Sequence, residues 1–281
     1  MDMAALMTYG PGRRVDFDWK SWMSTPFIVG NWKMNGVSAD LTETMILVKL
    51  LQAQPLDARV ALCPPATLIE RMARALADSD ILVGGGDCHA DRIGAFTGDI
   101  SAEMLADAGA SLVLVGHSER RATHGETDAM VAAKAAAAMR AGLEPIVCVG
   151  ESLAQRDAGV ALEVVAHQVF NSVPASLRAA DGVVAPMAVA YEPIWAIGTG
   201  LIPSIAQIEE VHGLIRDTLV RRLGEGARKV AILYGGSVTP SNASEILRAT
   251  EVGGALVGRA SLKAHHFLQI IAAGSSARQV A

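Results

Sequence analysis

The sequence predicts an α/β fold in which eight parallel strands close into a single barrel surrounded by helices. Three observations support this prediction. The chain has 281 residues, and one barrel of this kind takes about 250. Short apolar or β-branched runs recur eight times, and their starts are spaced by about 32 residues, close to one strand–helix unit. Apolar residues make up 51 % of the chain, which is enough for a large core and excludes a mostly disordered chain.

The predicted strands alternate with amphipathic segments. The strands begin near Phe27, Arg59, Ile81, Leu112, Pro145, Met187, Val230 and Gly254. Apolar residues at helical spacing predict a helix over residues 41–51, and residues 67–76 and 128–139 show the same pattern. The longest apolar run, residues 183–191, contains a proline and is interpreted as a buried strand. It is much shorter than the roughly 18 apolar residues of a membrane span.

A closed barrel fits the sequence better than an open, doubly wound sheet. An open sheet of this class usually carries a glycine-rich dinucleotide-binding turn after its first strand. Here residues 31–36 read Asn-Trp-Lys-Met-Asn-Gly instead. Neither G-x-G-x-x-G nor the P-loop motif G-x-x-x-x-G-K-[ST] occurs in the chain.

Charge and cysteine content narrow the functional class. The chain has 24 Lys and Arg against 29 Asp and Glu, for a net charge of −5. Without a basic cluster, no nucleic-acid partner is expected, and no membrane association is expected either. The three cysteines are too few for a disulfide framework. We therefore expect a cytoplasmic protein.

Residues 1–24 differ from the rest of the chain. They lack the apolar h-region and small-residue cleavage site of a secretory signal, and a second methionine, Met23, lies just before the first strand. We interpret residues 1–24 as an N-terminal extension that is either disordered or the product of a mis-assigned start codon. Residues 25–281 are predicted to form the barrel domain.

Polar groups and glycines follow five of the predicted strands. In a barrel of this kind, the chemistry takes place at the C-terminal ends of the strands. The residues at these ends are Asn31 and Lys33, His117, Ser118 and Glu119, Glu192, the Gly235-Gly236-Ser237 turn, and Gly258 with Arg259. Each one alone is typical of an ordinary loop. Because all of them fall at the same end of the barrel, they predict a single site there.

Two other kinds of site are disfavoured by spacing. The adjacent pairs Cys88-His89 and His265-His266 do not give the spaced ligand set of a zinc site, so no metal is expected. Residues 117–119 match the H-x-E half of a deaminase motif, but no P-C-x-x-C follows. No G-x-S-x-G nucleophile motif is present. Backbone N–H groups at residues 235–237 are better interpreted as an anion-binding turn.

Several motifs together resemble the triosephosphate isomerase family. They are GNWKMNG at residues 30–36, GHSERR at 116–121, AYEPIWAIGTG at 190–200 and YGGSV at 234–238, with supporting matches at residues 63–65, 94–101, 126–128 and 148–151. They occur in the family's order. The resemblance implies a TIM (β/α)8 barrel that forms a homodimer. It also implies an enzyme that interconverts dihydroxyacetone phosphate and glyceraldehyde 3-phosphate, in glycolysis and gluconeogenesis, without a cofactor.

The resemblance implies roles for the residues that react or meet the reacting atoms. Glu192 is similar to the family's base, which removes the proton α to the carbonyl. His117 is similar to the electrophile that polarises this carbonyl. Lys33 corresponds to a cation that faces the substrate, and Asn31 to an adjacent hydrogen-bond donor. Ser118 and Glu119 correspond to supporting residues.

The resemblance also implies a lid, a phosphate site and a dimer contact. The lid comprises Pro193, Ile194, Trp195, Ala196, Ile197, Gly198, Thr199 and Gly200. The implied phosphate contacts are Gly198, Ser237 and Gly258, with Arg259 adjacent, and Asn31 and Lys33 face the small phosphorylated sugar. Ile197 and Leu256 correspond to an apolar clamp over the base. Thr97 corresponds to the tip of a loop that enters the partner's active site.

The implied chemistry agrees with physical expectations for these residue types. Proton abstraction beside a carbonyl produces an enediolate, whose negative charge needs preorganised donors. His117 is predicted to begin a helix, whose dipole disfavours the imidazolium form, and the resemblance implies that the neutral ring is the donor. An apolar lid that excludes water would raise the basicity of Glu192 and protect the intermediate.

Departures from the family pattern leave two alternatives open. The family usually has Gly-Gly where this chain has Gly258-Arg259, often an aromatic residue at Ala255, and commonly Gln-Asn at residues 86–87. The differences at Arg259 and Ala255 favour, as an alternative, a sister isomerase of a four-carbon ketose phosphate such as an erythrulose phosphate. A barrel used as a binding protein is the other alternative. It is disfavoured because the set of Lys33, His117 and Glu192 has no structural purpose.

Overall fold

Eight parallel strands form a closed barrel, as predicted. The computed structural model describes residues 25–199 and 201–278, together with the backbone of residues 8–9 and 13–14. The strands are β1 Phe27–Asn31, β2 Arg59–Cys63, β3 Leu82–Gly85, β4 Leu112–Val115, β5 Glu144–Val149, β6 Ala188–Tyr191, β7 Ala231–Tyr234 and β8 Gly254–Val257. Each pairs with its neighbours in the sequence, and β8 pairs with β1 to close the barrel.

Helices connect the strands on the outside of the barrel. They are α1 Leu41–Ala53, α2 Ile69–Ala75, α3 Ala102–Asp107, α4 Ser118–His124, α5 Asp128–Arg140, α6 Leu153–Asp157, α7 Ala161–Ser172, α8 Ile205–Leu223, α9 Ala243–Ile246 and α10 Ala264–Arg278. The predicted helices over residues 41–51 and 128–139 are confirmed. The one predicted over residues 67–76 begins as a 3-10 turn, Ala66–Leu68, directly after two prolines. None of the described helices is long and apolar enough to cross a membrane.

The strand predicted over residues 183–191 is shorter than expected. Only Ala188–Tyr191 pairs in the barrel. Val183 is 60 % exposed, and Val184 forms an isolated antiparallel bridge to Arg178. Pro186 interrupts the run because it has no N–H group to donate to a neighbouring strand. The apolar run therefore forms the connection into β6 as well as the strand itself.

Residues 8–9 and 13–14 pair as two short antiparallel strands. The rest of the predicted extension, residues 1–24, lies outside the described residues, so the interpretation of this segment stays a prediction.

Strand side chains alternate between two apolar cores, as the two-residue period of a strand requires. The inner core fills the barrel and includes Phe27, Val29, Cys148, Ala190 and Leu256. The outer core lies between the strands and the helices, and it includes Ala255 beside Leu256. Ala255 thus faces the helices and Leu256 faces the barrel interior, because neighbouring residues of one strand point to opposite sides.

All three cysteines are buried and free. Cys63 and Cys148 lie in the inner core and Cys88 in the outer core. Burial raises the pKa of the Cys88 thiol to about 12 and raises the pKa values of Cys63 and Cys148 as well.

Close approach of two backbones fixes the ends of β5 and β6. Gly150 follows β5, and a Cβ atom there would lie 1.7 Å from the carbonyl oxygen of Glu192. The N–H of Glu192 donates to Val149 O at 2.7 Å. Only glycine leaves room for this contact, so Gly150 determines where the residue after β6 lies.

Replacement of Gly150 tests this constraint. We expect Gly150→Ala to lower the free energy of unfolding by at least about 2 kcal/mol, because the methyl group and the Glu192 carbonyl cannot occupy the same space. Gly213→Ala is the matched control, since a Cβ atom in this helical position meets nothing within 4 Å. Denaturant unfolding of both variants measures the difference, and equal stabilities would contradict the constraint.

His212 of α8 is an imidazole buried behind β6. Its ring packs edge-on against Tyr191, with the ring centroids 5.8 Å apart. Its Nδ1 lies 3.2 Å from the carbonyl oxygen of Glu251, so Nδ1 carries the proton of the neutral ring. Burial lowers the pKa of His212 to about 4.

This pKa predicts a pH-dependent stability. Below the ordinary histidine pKa of about 6.5, the unfolded chain binds a proton at His212, whereas the folded chain does not until about pH 4. The free energy of unfolding therefore falls as pH drops through this window, by up to about 3 kcal/mol from this residue. We expect His212→Gln to remove that part of the slope in urea titrations between pH 7 and 4. His167→Gln, at a position 71 % exposed, should keep it, and an unchanged slope in His212→Gln would refute the assignment.

Candidate active site

Glu192 lies at the carboxyl end of β6 and is almost fully buried. Its Oε2 accepts the backbone N–H of Ser118 at 2.9 Å, and its Oε1 lies 3.4 Å from Ser118 Oγ. The same Oε1 is 2.8 Å from His117 Nε2. The carboxylate therefore contacts the first residues of α4, which follow another strand of the barrel.

His117 is the N-cap residue of α4, as the sequence predicted. Its Nδ1 accepts the N–H of Glu119 at 3.2 Å, so Nε2 carries the proton of the neutral ring and points at Glu192. Burial lowers the pKa of His117, but the Glu192 carboxylate outweighs burial and raises this pKa above its ordinary value. The lowering expected from the helix dipole is thus outweighed while Glu192 lies against the ring.

Lys33 follows β1 in an unusual backbone conformation. Its φ is 55°, a left-handed value that residues other than glycine rarely adopt. The side-chain oxygen of Asn31 accepts the Lys33 N–H at 3.0 Å, which stabilises this turn and leaves the Asn31 amide nitrogen as a donor. The Lys33 ammonium donates to Glu119 Oε1 at 2.6 Å.

Glu119 connects the ammonium and the imidazole. Its second oxygen lies 3.8 Å from His117 Nδ1. Burial raises the pKa of Glu119, but the hydrogen bond from Lys33 and the nearby His117 outweigh burial and lower this pKa. Lys33, Glu119, His117 and Glu192 thus form one continuous series of polar contacts across the rim.

The predicted lid follows Glu192 directly. Ile194–Ala196 forms one 3-10 turn, and Thr199 Oγ1 donates to Trp195 O at 2.6 Å. Gly198 has a φ of 73°, which suits glycine. Gly200, the last predicted lid residue, lies outside the described residues.

Glu151, a residue with no predicted role, anchors the predicted lid. Its fully buried carboxylate accepts from Trp195 Nε1 at 2.8 Å and from the Tyr191 hydroxyl at 3.1 Å. Arg156 pairs with the same oxygen at 2.7 Å. Its position two residues after β5, within the supporting match at residues 148–151, was the only signal for it in the sequence.

The residues predicted to bind phosphate lie at the ends of β7 and β8. Gly235 packs against Glu192, since a Cβ atom there would lie 3.0 Å from Glu192 Cγ. Ser237 is half-buried, and its carbonyl accepts from Asn242 Nδ2 at 3.0 Å. A Cβ atom on Gly258 would lie 3.8 Å from Lys33 Cε, so this turn is next to the ammonium. Arg259 is exposed and begins the 3-10 turn Arg259–Leu262.

The predicted clamp residues are more buried than Thr97, the predicted tip of the dimer loop. Leu256 is buried in the inner core and Ile197 is half-buried in the lid. Thr97 is exposed on the segment 91–99, whose residues are all exposed. The base of this segment is fixed by His89 N donating to Ile100 O at 2.7 Å.

Asp87, at a position where the family commonly has asparagine, lies in a cluster of charged side chains. Its carboxylate accepts from Lys134 Nζ at 2.8 Å through both oxygens and lies 2.9 Å from Arg120 Nε. Burial raises the pKa of Asp87 despite these cations. This cluster is separate from the contacts made by Glu192.

Within residues 25–199 and 201–278, no group of three or more histidine, cysteine, aspartate or glutamate side chains is arranged to hold a metal ion.

Fold and site together define an enzyme of the (β/α)8-barrel class whose rim gathers a carboxylate, an imidazole and an ammonium. Comparison with known proteins identifies the family. The family model for triosephosphate isomerase matches residues 26–274. The chain belongs to the triosephosphate isomerase family and is an isomerase.

Individual relatives agree with this assignment. A protein of Caulobacter vibrioides named triosephosphate isomerase is 58 % identical over 248 residues, covering 88 % of this chain and 96 % of the relative. One from a Jannaschia species with the same name is 53 % identical and is covered over its whole length, for 91 % of this chain. The crystal structure of triosephosphate isomerase from Bartonella henselae superimposes with a TM-score of 0.79 at 43 % identity, covering 88 % of this chain and 98 % of that one.

Proposed function

We propose that this chain interconverts dihydroxyacetone phosphate and D-glyceraldehyde 3-phosphate by proton transfer through an enediol(ate). The observation that carries the proposal is the buried Glu192 carboxylate at 2.8 Å from His117 Nε2. This pair can supply a base and a hydrogen-bond donor to neighbouring atoms of one substrate. The names of the relatives give the proposal its substrate.

In this mechanism Glu192 removes a proton from the carbon next to the carbonyl and returns it to the other carbon. His117 Nε2–H polarises the carbonyl oxygen, gives its proton to that oxygen and takes up the proton of the neighbouring hydroxyl, so that the hydroxyl and the carbonyl exchange places. The Lys33 ammonium and the Asn31 amide nitrogen stabilise the negative charge of the enediolate. To reach the substrate, Glu192 must exchange its hydrogen bond from Ser118 N for contact with the reacting carbon. Glu119 holds Lys33 in place.

The lid residues Pro193 to Gly200 exclude water during the reaction. Closure would place Ile197 and Leu256 against Glu192, and loss of water makes a carboxylate more basic. It also protects the enediolate, which in water would eliminate phosphate. We assign the substrate phosphate to backbone N–H groups at Gly198, Ser237 and Gly258.

Arg259 adds positive charge at the phosphate end. It follows Gly258 directly and is exposed, so a bound dianion at the Gly258 turn would lie within reach of its long side chain. In this assignment the cation is an addition to the backbone contacts, and the reacting groups are unchanged. No cofactor takes part.

We also propose that the protein is a cytoplasmic homodimer acting in glycolysis and gluconeogenesis. Large apolar side chains are exposed on the segment that carries Thr97 and elsewhere on the chain. Ile93 is 85 % exposed and Phe96 is exposed on this segment, and Met34, which follows β1, is 96 % exposed. Exposed large apolar side chains of this kind support a protein–protein contact. In the proposed dimer, Thr97 reaches the partner's active site.

The comparisons give the four-carbon alternative no support, and Ala255 faces the helices instead of the pocket. Of Ala255 and Arg259, the two residues on which this alternative was based, only Arg259 lies beside the site.

Replacement of the base tests the proposed reaction. We expect Glu192→Gln to lower kcat for glyceraldehyde 3-phosphate by several orders of magnitude with little change in KM, because the amide keeps the shape and loses the base. An assay that couples formation of dihydroxyacetone phosphate to a second enzyme measures kcat and KM of wild type and variant. A change in KM alone would refute the role of Glu192.

The same assay, run with an erythrulose phosphate, separates the two substrates. A triose kcat/KM near the diffusional ceiling of about 10⁸–10⁹ M⁻¹s⁻¹ is expected. A poor triose value beside a good four-carbon value would overturn the proposed substrate.

Replacement of Thr97 tests the dimer. We expect Thr97→Arg to shift the protein toward monomer and to lower kcat, because a bulky charge cannot enter a packed apolar interface. Ala180→Arg, an exposed position in the connection that precedes β6, is the matched control. Sedimentation velocity and turnover are measured on both. A dimeric and fully active Thr97→Arg variant would exclude Thr97 from the interface.

A further inference from the structure

The segment that follows Gly258 is held at its far end by a carboxylate from the other end of the chain. Glu43 of α1 accepts the backbone N–H of Ala264 through Oε2 at 2.9 Å. Its Oε1 accepts from Lys263 Nζ at 2.8 Å. Glu43 and Ala264 are 221 residues apart in the sequence.

Glu43 acts as the cap of α10, a 15-residue helix. The first N–H groups of any helix lack partners within the helix, and a side chain just before the helix usually accepts one of them. Lys263 precedes Ala264, and an ammonium has no lone pair with which to accept. The carboxylate of Glu43 takes this place. The hydrogen bond from the Ala264 N–H lowers the pKa of Glu43, and the Lys263 ammonium lowers it further.

Five residues, 259–263, connect Gly258 to Ala264, and the first four of them form a 3-10 turn. Ser261 donates to Gly258 O twice, from its backbone N at 2.9 Å and from its Oγ at 2.7 Å. The turn lies directly on β1, because a Cβ atom on Gly30 would come 2.8 Å from Ser261 Cβ. The link between Ala264 and Gly258 is therefore short and closely packed.

We propose that Glu43 is a positioning residue for the phosphate-binding backbone at Gly258 and Arg259. It does not touch the substrate. It fixes the end of the turn, so that the amides are already in place when the phosphate arrives and little freedom is lost on binding. This inference rests on the proposed function, which assigns the phosphate to this turn.

The test separates phosphate binding from the reaction at the carbonyl. We expect Glu43→Ala to weaken the affinity for inorganic phosphate by about 5-fold, the effect of losing one typical helix cap. KM for glyceraldehyde 3-phosphate should rise in parallel. Turnover of glyceraldehyde, which has no phosphate, should keep its wild-type kcat/KM. Phosphate affinity is measured by calorimetry and by competition with the triose substrate.

Further variants show whether phosphate binding depends on the bond from Glu43 to Ala264 N or on the bond from Glu43 to Lys263 Nζ. Glu43→Gln keeps an oxygen for Ala264 N and should bind phosphate as wild type does. Lys263→Met removes only an ion pair between partly exposed groups, which contributes little, and it should also be unaffected. Glu43→Asp retains the charge but withdraws the acceptor by one methylene, so it should weaken phosphate binding even if Glu43→Ala fails to fold.

Glu209→Ala is the matched control. Its carboxylate also accepts a backbone N–H across elements, from Thr250 at 2.8 Å, but Thr250 precedes β8 whereas Gly258 follows it, so this bond lies at the other end of the strand. Wild-type phosphate affinity in Glu43→Ala or Glu43→Asp would overturn the inference and leave the proposed function intact. An equal loss with phosphate and with glyceraldehyde would assign Glu43 a purely structural role. Failure of wild type to bind phosphate or turn over the triose would instead overturn the proposed function.

Discussion

The contact of the Glu192 carboxylate with Ser118 N and His117 Nε2 is the interaction on which the arrangement of the site depends. It joins two strands that are not neighbours in the barrel, β4 and β6. A buried charge needs partners because removal from water is costly, and here the partners are the proposed catalytic groups themselves. The same interaction that makes the buried carboxylate tolerable thus brings the proposed base and donor together.

Other polar side chains near this contact hydrogen-bond to the lid, which must move, and to the turn at Lys33, which must stay in place. Glu151 joins Trp195, at the start of the lid, to Tyr191 and Arg156. Glu119 and Asn31 hold Lys33 in its left-handed turn. Each polar side chain that would react is therefore oriented by a second one, and this preorganisation is what electrostatic stabilisation of an intermediate requires.

Much of the fold and the rim could be predicted from the sequence, because parallel closure places the residue after each strand at one edge. His117 at the start of a helix follows from a Gly-His-Ser-Glu run after an apolar strand. The interpretation of residues 183–191 as one buried strand was wrong over its first residues, because an apolar pattern does not register the missing N–H of Pro186. Glu151 and Glu43 were missed for another reason. Their partners are distant in sequence, so neither spacing nor residue type indicates the contact. The left-handed backbone conformation of Lys33 is likewise a property that only the structure shows.

The burial of the three cysteines determines when the protein is open to oxidation and alkylation. Oxidants and alkylating agents attack thiolates, and burial with raised pKa values keeps Cys63, Cys88 and Cys148 protonated and shielded. Because Cys63 and Cys148 lie inside the barrel, a reagent reaches them only when strands separate. Chemical damage at these positions therefore falls on molecules that have already opened, and it makes their opening irreversible. The lifetime of the intact population is then set by how often the barrel opens.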